Sequence, residues 1–161
     1  MTTATYSPGL EGVIAGETKL SFVNPERNSL MYQGYDIRDL AKNSSFEEVA
    51  YLMINGKLPN ASEFETFKQT LLNERTLPEP VLNAIKDFPK NGIPMDLLRA
   101  GAALLCLYDL EVTDISHDAN VRKATRLIAK FPALIAYSYR LTRGKEIIEP
   151  DNSLGHAANF L

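Results

Sequence analysis

The sequence predicts a mainly α, multi-helical fold with one short β-hairpin near its N-terminus, and three observations lead there. Val121 to Arg143 carries the longest helical period in the chain, with Val121, Ala124, Leu127, Ile128, Phe131, Leu134 and Ile135 recurring at steps of three and four. The chain beyond Gly34 is cut into segments by helix caps and by Gly and Pro stops. Only Lys19 to Tyr32 alternates as a strand pair does.

The elements follow in chain order. Pro8, Gly9, Gly12 and Gly16 make residues 1–16 irregular. Residues 17–34 hold the hairpin, Lys19–Val23 and Ser29–Tyr32 around the turn residues Asn24 to Asn28. Residues 36–161 read as helices: Asp36 caps a short one through Leu40, and Ser44 to Glu47 reads as a capping box opening another that reaches about Ile54. Gly56 and Pro59 stop that helix, and Asn60 or Ser62 caps the next, whose stripe is Phe64, Phe67, Leu71 and Leu72. Pro80 suits the first turn of a short helix from Val81 to Phe88. Met95 to Tyr108 is the most hydrophobic helix, and Ala100, Gly101, Ala102 and Ala103 offer a neighbour close approach. Asp109 to Asn120 reads as a polar loop, with Ser116 or Asp118 capping the long helix. That helix is expected to meet water in its first half, to be buried in its second, and to kink or break at Pro132.

Composition narrows the function classes. The 17 Lys and Arg against 20 Asp and Glu give a formal charge of -3, too balanced to advertise a nucleic-acid or membrane surface. No apolar run approaches the roughly 18 residues of a membrane span, the N-terminus lacks a secretion signal, and the single Cys106 permits no intrachain disulfide. A cytoplasmic protein without nucleic-acid or membrane partners is the expectation. Cys106 itself reads as a small buried hydrophobe.

Candidate chemistry is sparse. His117 reads as an exposed loop histidine and His156, near a helix start, as a packed or capping one. Two histidines and one cysteine at scattered positions give no zinc spacing, and Gly9, Gly12 and Gly16 lack the spacing of a phosphate loop. Lys130, Arg140, Arg143 and Lys145 read as solvated charge near a helix C-terminus, and Glu47 and Glu48 as first-turn charge. No catalytic, cofactor-binding or metal-ligating residue is therefore assigned within the chain.

Six consecutive stretches then carry a resemblance. They are Pro8–Val23 (PGLEGVIAGETKLSFV), Tyr32–Lys42 (YQGYDIRDLAK), Ser45–Asn60 (SFEEVAYLMINGKLPN), Ile93–Ala102 (IPMDLLRAGA), Leu127–Ser138 (LIAKFPALIAYS) and Ser153–Leu161 (SLGHAANFL). In order and as a set they resemble citrate synthase of the bacterial and archaeal kind. Gln33 departs from the family's YRGY, Ile93 from its histidine before PMD, and Gly155 from its serine before HAANF.

The resemblance implies an almost wholly helical homodimer or higher oligomer that condenses acetyl-CoA, a co-substrate, with oxaloacetate and hydrolyses the thioester to citrate and CoA, with no tightly bound cofactor. In such enzymes a histidine and an aspartate take the acetyl methyl proton, another histidine assists at the oxaloacetate carbonyl, and arginines hold the carboxylates. Removing a proton beside a thioester needs such a positioned base and stabilisation of the developing enolate. Those residues belong to motifs beyond HAANF, around HADHE and LHGGAN, which this chain does not contain. Residues 1–161 are accordingly expected to be the N-terminal portion of the large domain, without the small domain and inert alone. The last helix opens after Asp151-Asn-Ser153 and stops unfinished, which carries the same expectation. Two alternatives stand beside it: a non-catalytic helical module that dimerises or complements a catalytic half, and a portion of a 2-methylcitrate synthase.

Overall fold

The computed structural model describes residues 8–14 and 16–161, so the expected irregular stretch 1–16 lies partly outside the described residues. Two compact units, Met1–Asn43 and Ser44–Leu161, divide the chain.

In the first unit Pro8–Leu10 makes a single 3-10 turn, and strands β1 (Ser21–Asn24), β2 (Ser29–Tyr32) and β3 (Tyr35–Asp36) form an antiparallel sheet in that order. The expected hairpin is β1 and β2, with Ser21 opposite Tyr32 and Asn24 opposite Ser29. The side chain of Asn24 ties the turn by accepting the Arg27 amide at 3.1 Å. The third strand was not expected. It returns through a two-residue turn in which Gln33 and Gly34 both have positive φ, 48° and 89°, the backbone hand that matches strand twist. Asp36 then starts helix α1 (Ile37–Asn43): its Oδ1 accepts the Arg38 amide at 2.8 Å, and its Oδ2 accepts the Ser29 hydroxyl. These bonds, the serine's first, hold the Asp36 carboxyl below its ordinary range.

The second unit is helical. Helix α2 (Phe46–Asn55) opens on a capping box one residue later than the sequence suggested, Ser45 with Glu48 rather than Ser44 with Glu47. The run Ser-Ser-Phe-Glu-Glu satisfies the S-x-x-E pattern in both registers, and the later one turns Glu47 inward, where it is buried. Gly56, at φ 76°, ends the helix as expected. Helix α3 (Ala61–Asn73) is capped reciprocally by Asn60 and Glu63, and its buried residues, Phe67 and Leu71, sit one turn apart. Helix α4 (Glu79–Lys86) carries Pro80 in its first turn, and α5 (Pro94–Leu107) follows.

Helix α6 (His117–Thr142) is the central element that its period predicts, because it contributes to both cores. One core joins Leu77, Val81, Ile85 and Leu105 to Ala133, Leu134 and Tyr137, and the other joins Phe67 and Leu71 to Ala129. Three details of α6 differ from the sequence reading. The helix begins at His117, with Ser116 as cap, so Asp109–Asn120 is not all loop. It is not broken at Pro132, which lies inside the continuous helix and removes only one donor from the ladder. The buried face is also rotated from the expected one, though it keeps Leu134: Thr125, Ala129, Ala133 and Tyr137, at steps of four, face inward with Leu134 and Ser138, while Leu127 and Ile135 stay 36% and 40% exposed. Nor does burial divide the helix into a wet first half and a dry second. Close packing bears on the choice: a Cβ on Gly101 of α5 would sit 2.3 Å from Leu134 Cδ1, so Gly101 gives α6 the close approach expected of it by seating Leu134.

Cys106 is exposed, not buried, because α5 turns Leu97, Gly101 and Leu105 inward at steps of four and Cys106 falls beside that line. The loop between α5 and α6 is stapled to α6 by charge. Arg126 donates to Asp109 at 2.8 Å and to Glu111 at 2.8 Å, and Arg122 donates to Glu111 as well. Bonds from Arg122 and Arg126 hold the Glu111 carboxyl down at about 2. Helix α7 (His156–Phe160) closes the described chain.

Candidate functional site

The one place in the second unit where ionisable side chains converge in the interior is built by α2, the α3–α4 turn and the start of α7. Glu47, on the first turn of α2, is 8% exposed, Arg75 after α3 is 3% exposed and His156 at the start of α7 is 7% exposed. A buried charge is costly unless hydrogen bonds satisfy it, and backbone groups supply those bonds to Arg75 and Glu47. Arg75 Nη1 donates to the Asp151 carbonyl at 3.0 Å and Nη2 to the Leu154 carbonyl at 2.9 Å. The His156 amide donates to Glu47 Oε1 at 2.7 Å. The His156 ring stacks on Phe46, with centroids 4.4 Å apart and planes 2° from parallel.

Glu47 is therefore not simple first-turn charge. It satisfies the first amide of α7, whose own N-cap residue, Gly155, has no side chain to do so. Burial lowers the His156 pKa below its ordinary 6.5, Glu47 opposes that, and the Arg75 cation adds to it. The Arg75 pKa is lowered by burial, against the pull of Glu47 and Asp151.

Beside the knot runs an apolar groove of about 620 Å³ lined by Phe46, Leu127, Ile128, Phe131, Ile135 and Phe160, among others. It is the face of α6 that the sequence period assigns to the core.

The other candidate residues lie apart. His117 is exposed, as expected, but in the first turn of α6 and not in a loop, and it is far in sequence and burial from the knot. Lys130 is not solvated: its side chain is 12% exposed, with Nζ donating to the Glu74 carbonyl at 2.8 Å and to its carboxylate at 2.5 Å. Arg140 Nε donates to the Glu146 carbonyl at 2.5 Å, and the Arg143 guanidinium lies 5.5 Å from the Tyr139 ring centre. Ile93 is the N-cap of α5 and 65% exposed. Among the described residues no three His, Cys, Asp or Glu side chains cluster as metal ligands do, and no helix is long and apolar enough to cross a membrane. Sequence reasoning missed Glu47 and Arg75 as partners of the HAANF segment. The only signal was the doubled S-x-x-E register, because separations of 109 and 76 residues leave no local pattern.

With this geometry in place, the chain was compared with known proteins. A family profile described as "Citrate synthase, C-terminal domain" matches residues 9–161. The "Citrate/2-methylcitrate synthase" of Bacillus subtilis (strain 168) is 40% identical over 156 residues, covering 97% of this chain and 42% of that protein. A citrate synthase structure from Pyrobaculum aerophilum matches with a TM-score of 0.88 at 34% identity, over 95% of this chain and 40% of that one. The citrate synthase of Thermoplasma acidophilum, solved as a ternary complex with carboxymethyl coenzyme A and oxaloacetate, matches with a TM-score of 0.89 at 26% identity, over 98% and 42%. The chain thus spans well under half the length of the proteins it matches.

Proposed function

The chain belongs to the citrate synthase family, and from that premise we propose that it supplies the front helices of an enzyme condensing acetyl-CoA with oxaloacetate to give citrate and CoA. The observation that carries the reading is the near-complete overlap of this chain with two fifths of a citrate synthase structure, 95% against 40%, at a TM-score of 0.88.

The division of labour follows from what the described residues offer. Abstraction of the acetyl methyl proton needs a base within hydrogen-bond reach of that proton and a donor aimed at the developing enolate oxygen. His117 is exposed at the start of α6, and His156 is held in a packed stack with its amide engaged. Neither makes a base and donor pair, so the acid-base residues belong to the part of the family fold outside this chain, and the chain alone is inert. Acetyl-CoA and oxaloacetate enter as substrates of the assembled enzyme, with no resident cofactor. The enzyme works as a homodimer or higher oligomer in the cytoplasm. Residues 1–161 then correspond to the N-terminal portion of the large domain.

The test is a chimera that joins this chain to the remaining portion of the Bacillus subtilis relative. The expected result is citrate formation from acetyl-CoA and oxaloacetate by the chimera. A folded chimera without turnover would contradict the proposal. Because that relative is named for both citrate and 2-methylcitrate, propionyl-CoA is assayed alongside. One methylene is worth only about 1–3 kcal/mol in such a pocket, so a preference of roughly 10- to 200-fold is the scale to look for.

A further inference from the structure

We propose that Glu47 and Arg75 are positioning residues that grip the backbone from Asp151 to His156 and fix the direction in which the chain enters α7. Arg75 binds two carbonyls three residues apart, those of Asp151 and Leu154, through separate nitrogens of one planar group. Glu47 then takes the amide of His156, two residues further on. Three backbone groups in six residues are held by two buried side chains from elements that are 76 to 109 residues away in the chain.

Stability alone does not call for this arrangement. Charges as buried as these cost desolvation, and apolar side chains of similar volume commonly stabilise a site as well or better. What the charged pair adds is direction, since a guanidinium fork donates well only to carbonyls placed in its plane. Gly155 fits the same scheme. A Cβ there would stand 3.5 Å from Glu47 Oε1, an ordinary contact, so the position admits a side chain but offers no cap of its own.

The inference rests on the proposed enzyme, in which the acid-base residues lie on chain continuing from this segment. A displacement of about 1 Å at such residues costs on the order of 100-fold in rate.

The test removes both charges together, Glu47→Leu with Arg75→Met, so that neither is left buried and unpaired. In the 161-residue chain, hydrogen exchange of amides 151–161 should accelerate about tenfold, with α3 and α6 amides unchanged. In the chimera, kcat should fall with KM for oxaloacetate unchanged, and adding Gly155→Ser should restore α7 protection through a local cap without restoring kcat. If the double variant fails to fold, Arg75→Lys, which keeps the charge and loses the fork, carries the same two measurements. Wild-type exchange and kcat in these variants would overturn the proposal, as would recovery of kcat by Gly155→Ser. A wild-type chimera that makes no citrate defeats only the enzyme reading, and the exchange measurement still decides the grip.

Discussion

Gly34 lies at φ 89° with open space where a Cβ would go, so the turn between β2 and β3 depends on its backbone freedom and on nothing it touches. Gly34→Ala should cost about 1–2 kcal/mol, read as a lower urea midpoint for the first unit. Gln33, where the family's YRGY has arginine, occupies the other left-handed position of that turn, which the sequence left open. Ser138 is the opposite case. Its hydroxyl is buried on α6 with no hydrogen-bond partner among the described residues, so Ser138→Ala should raise stability by about 1 kcal/mol in the same denaturation experiment. His156 gives a pH signature. Its folded pKa lies below 6.5, so the unfolded chain binds the proton more readily, and stability falls as pH drops from above 6.5 toward the folded value. His156→Gln should flatten that limb of a stability-against-pH curve. At this scale the sequence placed His117 and His156 correctly as exposed and packed. It mistook Cys106, Glu47 and Lys130, because one residue of helix rotation or one distant partner decides each.

The helices themselves were legible where local chemistry marks them: Pro80 in the first turn of α4 and Gly56 after α2 occur as read, and Asn60 and Ser116 are the caps taken from the two alternatives offered for each of α3 and α6. What the period of α6 could not supply was the choice of buried face. Both an aliphatic stripe and a stripe of smaller residues lie along it, and the buried face takes Leu134, seated on Gly101 of α5, from the first and Thr125, Ala129 and Ala133 from the second. Gly101→Ala should therefore destabilise by about 1–3 kcal/mol despite its better helix propensity, since Leu134 is fully buried and has nowhere to move. Thermal unfolding of the variant checks this. The third strand escaped notice because Gln-Gly is a weaker turn signal than Asn-Gly. The staple from Asp109 and Glu111 to Arg122 and Arg126 joins residues 11 to 17 apart, beyond any helical spacing rule. Its acid dependence has a defined sign. Glu111 titrates at about 2 instead of its ordinary 4.5, so its contribution is complete above 4.5 and is lost as pH falls toward 2. Glu111→Gln should shrink the acid-induced loss of stability.

For the whole molecule, the part of the aliphatic stripe of α6 that the core leaves outside, with Leu127 and Ile135 on it, becomes the wall of an open apolar groove, with Phe160 45% and Leu161 102% exposed at its end. A surface of that kind on a lone chain should bind an apolar dye such as anilinonaphthalene sulfonate, and the chimera should bind less. The family was legible from six ordered stretches, and the match over residues 9–161 agrees with them. The knot of Glu47, Arg75 and His156 was not, because it exists only once α2, the α3–α4 turn and α7 meet. The most direct test of the division of labour proposed here is release of CoA from acetyl-CoA and oxaloacetate by the purified 161-residue chain, prepared from a host that lacks its own citrate synthase. The account predicts no release above the uncatalysed background. Turnover that rises in proportion to the concentration of the chain would contradict it.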